Sequence, residues 1–117
     1  MKKIYYLKSC STCQRIIKEL ELGDDFEFQN IKEEMMTEEQ VDAMKAMTGS
    51  YESLFSRRAM KYRGMGLNEM TLEEADYRKY ILEEYTFLKR PVIIIDNQIF
   101  VGNSKKVVAA AKATLNG

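Results

Sequence analysis

The only proline of the chain, Pro91, stands directly before Val92-Ile-Ile-Ile95, and this run constrains the fold more than any other segment. Four consecutive β-branched residues suit a central strand covered on both faces. A proline is permitted at the start of a strand. Asp96-Asn97 then offers a two-residue turn, because both residues tolerate positive φ. Gln98 to Val101 would return as the partner strand. Asn103 or Ser104 can cap a last helix whose Val107, Val108, Ala111 and Leu115 face inward.

Ahead of this block, Ile4 to Leu7 reads as a short, largely buried strand. Ser9-Cys-Ser-Thr-Cys13 turns into a helix whose Cys13, Ile16, Ile17 and Leu20 form a stripe, with Leu22-Gly23 ending it. Phe26 and Phe28 alternate with Glu27 and Gln29 as a second strand. Thr37-Glu-Glu-Gln40 is a capping box opening a helix through about Met47, with Val41, Met44 and Met47 on one face. Gly49-Ser50 breaks that helix, and Tyr51 to Arg63 suits one or two short helical turns. Thr71-Leu-Glu-Glu74 is a second capping box, opening a helix through about Tyr85.

The order is β-α-β, a helical middle, then β-β-α. An α/β chain of this order matches a thioredoxin-like fold, a mixed four-stranded sheet carrying a helical insertion. At 117 residues it fits a single domain. The thioredoxin-like parts would span about 1–33 and 86–117, with the insertion at about 34–85.

Composition narrows the chemistry. With 45% hydrophobic and 31% charged residues the chain is neither disordered nor membrane-spanning. Its 18 basic and 18 acidic residues argue against a polyanion binder, so no direct nucleic-acid contact is expected. The start, Met1-Lys-Lys-Ile-Tyr-Tyr-Leu7, is too short an apolar run for a signal peptide. A cytoplasmic location with reduced cysteines, and no membrane partner, is the expectation. There is no histidine, which excludes Ser-His-Asp triads, Cys-His dyads and histidine-ligated metals. Two cysteines alone cannot complete a zinc or iron–sulfur site, so no metal and no bound cofactor are expected.

The neutral total hides three basic blocks: Lys2/Lys3/Lys8/Arg15/Lys18, Arg57/Arg58/Lys61/Arg63, and Lys89/Arg90 with Lys105/Lys106/Lys112. Brought together, they would make a local anion site; most of these residues are expected simply to mark solvated faces. Seven of the eight methionines lie between Met35 and Met70, where packing of an irregular core is the expected role and partner binding by the insertion the alternative.

Cys10-Ser-Thr-Cys13 lies between a predicted strand and the first turn of a helix. Helix N-termini present unpaired N–H groups and a positive dipole end, which favour thiolate and make Cys10 the nucleophile. The i, i+3 spacing puts Cys13 one turn along, within reach to close a disulfide and release an adduct. Lys8 and Arg15 flank the loop. A buried structural pair, or half a zinc site shared between chains, are the competing readings. The strand–CxxC–helix context favours redox chemistry over both.

Arg90 precedes Pro91, and two readings fit. Pro91 merely starts a strand, as most X-Pro bonds are trans and only about 5–6% are cis. Alternatively, a proline edge faces the cysteine loop and holds the Arg90 guanidinium over it to bind an oxyanion. Likewise Arg57 and Arg58 are an exposed face, or one of them turns towards the same anion.

Three pieces now stand in order: Ile4-Tyr-Tyr-Leu-Lys-Ser-Cys-Ser-Thr-Cys-Gln-Arg15, Leu54-Phe-Ser-Arg-Arg-Ala-Met-Lys-Tyr-Arg63, and Leu88-Lys-Arg-Pro-Val-Ile-Ile-Ile95 followed by Val101-Gly102. In these the chain resembles the ArsC/Spx family over nearly its whole length. The resemblance implies a thioredoxin-like fold with a helical subdomain and a cis Pro91. It also implies one of two activities. Arsenate reductases attack bound arsenate with the cysteine matching Cys10, draw on glutathione and glutaredoxin, and cradle the oxyanion with arginines matching Arg90 and Arg58, Arg57 being the neighbouring alternative. Thioredoxin recycling would suit a second cysteine such as Cys13. Spx-type members are transcription regulators that bind the C-terminal domain of the RNA polymerase α subunit, with a CxxC redox switch.

Well-characterised reductases of the family carry a third arginine after the final hairpin strand. Here that stretch is Val101-Gly-Asn-Ser-Lys-Lys106, and lysine supplies charge without the planar fork. A thiol oxidoreductase acting on another substrate is therefore a third expectation. The chain ends soon after its last helix, which leans towards the enzyme. The leading reading is an arsenate reductase-like thiol-disulfide oxidoreductase served by an external thiol or redox protein, with the Spx-like regulator as alternative.

Overall fold

The computed structural model describes residues 1–117, which divide into two compact units. The first comprises Met1–Glu34 and Arg90–Gly117. It contains β1 (Lys2–Tyr6), α1 (Ser11–Glu19), β2 (Glu27–Asn30), β3 (Val92–Ile95), β4 (Gln98–Val101) and α5 (Lys105–Asn116). The sheet order is β2-β1-β3-β4, with β1 and β2 parallel and the other two pairs antiparallel. This is the expected mixed four-stranded sheet. All four residues of Val92–Ile95 are buried, as the β-branched run requires.

One face of the sheet meets both helices. Ile4, Ile93 and Ile95 pack with Ile16 and Leu20 of the first helical segment and Val108 and Ala111 of α5. Ile16 is fully buried, so Ile16→Ala would cost about 2–5 kcal/mol through lost transfer energy and a residual cavity. Ser104 caps α5 by accepting from the Val107 N–H at 3.2 Å. Gly102, at φ +94°, turns the chain from β4 back towards α5, a conformation that glycine adopts without a Cβ penalty.

Two details differ from the sequence expectation. Helix α1 ends before Gly23: Glu21 takes the left-handed position at φ +53°, while Leu22 N–H reaches Ile17 O and Glu21 N–H reaches Lys18 O, both at 3.1 Å. These paired bonds are a Schellman closure, made here without glycine because the apolar contact of Leu22 on the core fixes the exit. In β2, Phe28 is exposed and packs edge-on to Tyr6 at 5.7 Å, because β2 lies at the sheet edge. The buried residue is its neighbour Gln29, whose Nε2 donates to Glu34 O at 3.0 Å. Beside it, Lys3 is buried against Glu27 at 2.8 Å, with its Nζ 4.9 Å from the Tyr5 ring centroid.

The second unit, Met35–Lys89, holds α2 (Glu38–Thr48), α3 (Met60–Gly64) and α4 (Glu74–Glu83), with 3-10 turns at Glu52–Leu54, Leu67–Glu69 and Tyr85–Phe87. The Thr37–Gln40 capping box is present, and Gly49 ends α2 at φ +97°. Phe55 stacks on Phe87 with centroids 5.1 Å apart and also meets Tyr77 at 5.0 Å. Ser56 N–H donates to Phe87 O and Lys89 N–H to Leu54 O, which ties the middle of this unit to its C-terminal end.

The second capping box is shifted. The N-cap of α4 is Glu73, paired reciprocally with Asp76, rather than Thr71 with Glu74. Glu74 is occupied elsewhere: its carboxylate accepts the backbone N–H groups of Tyr51 at 2.7 Å and Glu52 at 3.1 Å. The methionines also depart from expectation. Met36 and Met44 are buried, but Met35, Met47, Met60, Met65 and Met70 are exposed. Short helices of five to eleven residues leave too little interior to enclose seven long side chains.

Candidate active site around Cys10

Cys10 ends the turn that follows β1. Its N–H donates to Leu7 O at 3.0 Å, its carbonyl accepts the first helical bond from Gln14 N–H at 3.1 Å, and its backbone is extended. It is therefore the N-cap of α1, the position where side-chain acceptors meet unpaired N–H groups. Gln14 Nε2 also donates to Lys8 O at 3.0 Å, which holds the turn against the helix it feeds.

The neutral Cys10 thiol makes no capping hydrogen bond, but the anion is favoured there. Partial burial pushes its pKa up; the N–H and thiol of Cys13, the N–H of Thr12 and the charge of Arg90 outweigh this and bring it below the ordinary thiol value. Cys13 behaves in the opposite way. It is fully buried, and burial, with the Cys10 sulfur beside it, raises its pKa to about 11. Both thiols are free. One turn of helix thus holds a partly exposed thiolate-prone sulfur and a buried protonated one.

Arg90 and Pro91 are joined by a cis peptide bond, as the resemblance implies. Pro91 is buried, and its carbonyl accepts Gly102 N–H at 2.9 Å, which fixes the segment beside the start of β3. Arg90 is half-buried, with its Nε inside, and its charge acts on both cysteines. The first unit therefore brings Cys10, Cys13, Arg90 and Pro91 together. After β4, Asn103, Lys105 and Lys106 are exposed and Ser104 is engaged as a cap.

Arg57 and Arg58 lie in the second unit, in the turn before α3. Arg57 is engaged within it: its Nη2 donates to Glu52 at 2.7 Å and to the Tyr77 hydroxyl at 2.9 Å, and its guanidinium lies over the Tyr77 ring. Arg58 is exposed and makes none of these contacts. Of the neighbouring pair, Arg58 is thus the one whose fork is available to an anion. No group of three or more cysteine, aspartate or glutamate side chains is placed to hold a metal ion.

Sequence reasoning missed one feature. The parallel strands β1 and β2 end side by side, and a cleft of about 390 Å³ opens there, lined by Leu7, Lys8, Ser9, Asn30, Lys32 and Glu33. Asn30 organises it, since its Oδ1 accepts the backbone N–H of both Lys8 and Lys32 at 3.4 Å. The one available signal was topological: crevices at the carboxyl ends of parallel strands are common ligand sites.

The sheet order, the helix placement and the Cys10 turn define a thioredoxin-like protein, and solved structures agree. A YFFB protein superposes with a TM-score of 0.78 at 22% identity, covering 95% of this chain and 98% of its own. An arsenate reductase-related protein from Brucella melitensis gives 0.71 at 25% identity, over 99% and 95%. An arsenate reductase from Vibrio cholerae gives 0.75 at 17% identity, over 93% and 95%. No curated protein matches the sequence. The ArsC family model matches residues 5–111, and the chain belongs to the ArsC family.

Proposed function

We propose that the chain is a thiol-disulfide oxidoreductase of the arsenate reductase type. The observation that carries this reading is the polarised cysteine pair, with Cys10 favoured as thiolate at a helix N-terminus and Cys13 buried one turn behind it. The Cys10 sulfur attacks a bound oxyanion or a disulfide, and Arg90, whose charge already acts on Cys10, holds the oxyanion. With arsenate, an S–As bond forms as oxygen leaves as water; two thiols are then oxidised to one disulfide while arsenic gains two electrons. Cys13 or an external thiol is the second thiol, and glutathione with glutaredoxin, or thioredoxin, restores the enzyme. No cofactor is needed. The test is arsenate turnover with each reductant, which is expected in the native chain and absent in Cys10→Ser. No turnover with any reductant would remove the arsenate version and leave disulfide substrates.

A second reading is favoured by the exposed Met60, Met65 and Met70 of the second unit, adaptable apolar side chains suited to a protein partner. Here the Cys10–Cys13 redox state governs binding to the RNA polymerase α subunit. Capture of that subunit by only one redox state supports it, and equal absence of binding in both states removes it.

A further inference from the structure

The cleft beside Cys10 carries an unusual arrangement of charge. Lys8 and Lys32, both exposed, line it on the β1 and β2 sides, and Glu33 lines it next to Lys32. The ion pairs of the chain use none of these three groups. Two lysines and one glutamate therefore line one concave space, and none of them is taken up in an ion pair. Their backbones are fixed: Asn30 Oδ1 accepts the N–H of Lys8 and Lys32, and Glu33 N–H donates to Asn30 O at 3.1 Å. The same turn that supplies Lys8 and Ser9 to the cleft ends on Cys10.

We propose that this cleft binds the α-amino-acid head group of a small thiol or its disulfide, with Lys8 and Lys32 on the carboxylate and Glu33 on the ammonium group. The proposal rests on Cys10 being the nucleophile and specifies which substrate reaches it. Inorganic oxyanions offer nothing to Glu33, whereas a zwitterion uses all three charges. In the first step the Cys10 thiolate attacks one sulfur of the disulfide RSSR. A Cys10–S–S–R bond forms, the RSSR bond breaks, and the expelled RS⁻ takes a proton from water. No other reactant enters this step.

The experiment follows adduct formation on Cys10 by mass spectrometry in a Cys13→Ser background, which retains the mixed disulfide. Three probes are compared: cystine, the disulfide of N-acetylcysteine, and hydroxyethyl disulfide. The cystine to hydroxyethyl rate ratio should exceed one and fall by up to about fivefold in Lys32→Ala, the upper end for an exposed ion pair. The cystine to N-acetylcysteine ratio should fall by a similar factor in Glu33→Gln. Ratios unchanged by Lys32→Ala would overturn the proposal. A response to Lys32→Ala with none to Glu33→Gln would overturn the amino-acid assignment. Adducts with none of the probes would instead remove Cys10 as nucleophile, a failure distinguishable from either.

Discussion

Cys10 and Cys13, three residues apart on the first turn of one helix, are driven in opposite directions: Cys10 below the ordinary thiol pKa and Cys13 up to about 11. The N–H groups of the helix N-terminus and the Cys13 thiol, with the charge of Arg90, stabilise the Cys10 thiolate without an imidazole. The pair should titrate in two separated steps, followed by thiolate absorbance or by the pH dependence of iodoacetamide reaction. Below pH 9 only Cys10 should be alkylated. Cys13→Ala should raise the Cys10 step, because a donor to its thiolate is lost.

Arg90 contributes charge and shape, and these can be separated. Arg90→Lys keeps the charge near Cys10 but loses the planar fork. The Cys10 titration should then shift little, while arsenate turnover falls by at least about tenfold, one charge-assisted bond's worth. Arg90→Ala should lose turnover and raise the Cys10 pKa as well.

Buried Cys13 links stability to alkaline pH. Its folded pKa lies above its unfolded value, so the unfolded state releases the proton first as pH rises. Stability is therefore complete below about pH 8.5 and declines as pH rises towards 11, by about 3 kcal/mol. Urea unfolding across that range should show this extra decline in the native chain and not in Cys13→Ala.

At acid pH the sign reverses. Asp42 accepts from Arg78 Nε at 2.8 Å and from the Tyr51 hydroxyl at 2.6 Å, and the Arg78 and Tyr51 hydrogen bonds hold its pKa near about 2. Its stabilising contribution is present above the unfolded carboxylate pKa and is lost as pH falls from about 4 towards 2. Asp42→Asn should flatten that part of the acid unfolding profile.

Glu21 holds a left-handed backbone without being glycine. Glu21→Gly should stabilise the fold by about 0.5–1 kcal/mol, read as a higher urea midpoint with unchanged slope. The substitution also removes a negative charge from a helix C-terminus, which acts in the same direction.

What could be read in the sequence was what short stretches decide for themselves. Val92–Ile95 is a buried strand by composition, Thr37 and Gln40 cap by local reach, and Cys10 falls on an N-cap because a strand hands over to a helix there. Where distant groups compete, the local signal failed. Glu74 reads as half of a capping box, yet its carboxylate serves the N–H groups of Tyr51 and Glu52. Phe28 has the alternation of a buried residue, but an edge strand leaves it exposed and buries Gln29. The cleft residues Lys8, Asn30, Lys32 and Glu33 carry no motif, because only the parallel pairing of β1 and β2 brings them together.

The central claim, that Cys10 attacks and Cys13 resolves, is tested most directly by intact-protein mass spectrometry after exposure to a small disulfide. The native chain should lose two hydrogen atoms, their electrons reducing the small disulfide to two thiols, and keep no adduct, which marks a Cys10–Cys13 disulfide. Cys13→Ser should retain one adduct, mapped to Cys10, and Cys10→Ser should retain none. Two free thiols in the treated native chain, or an adduct that survives Cys10→Ser, would contradict the account.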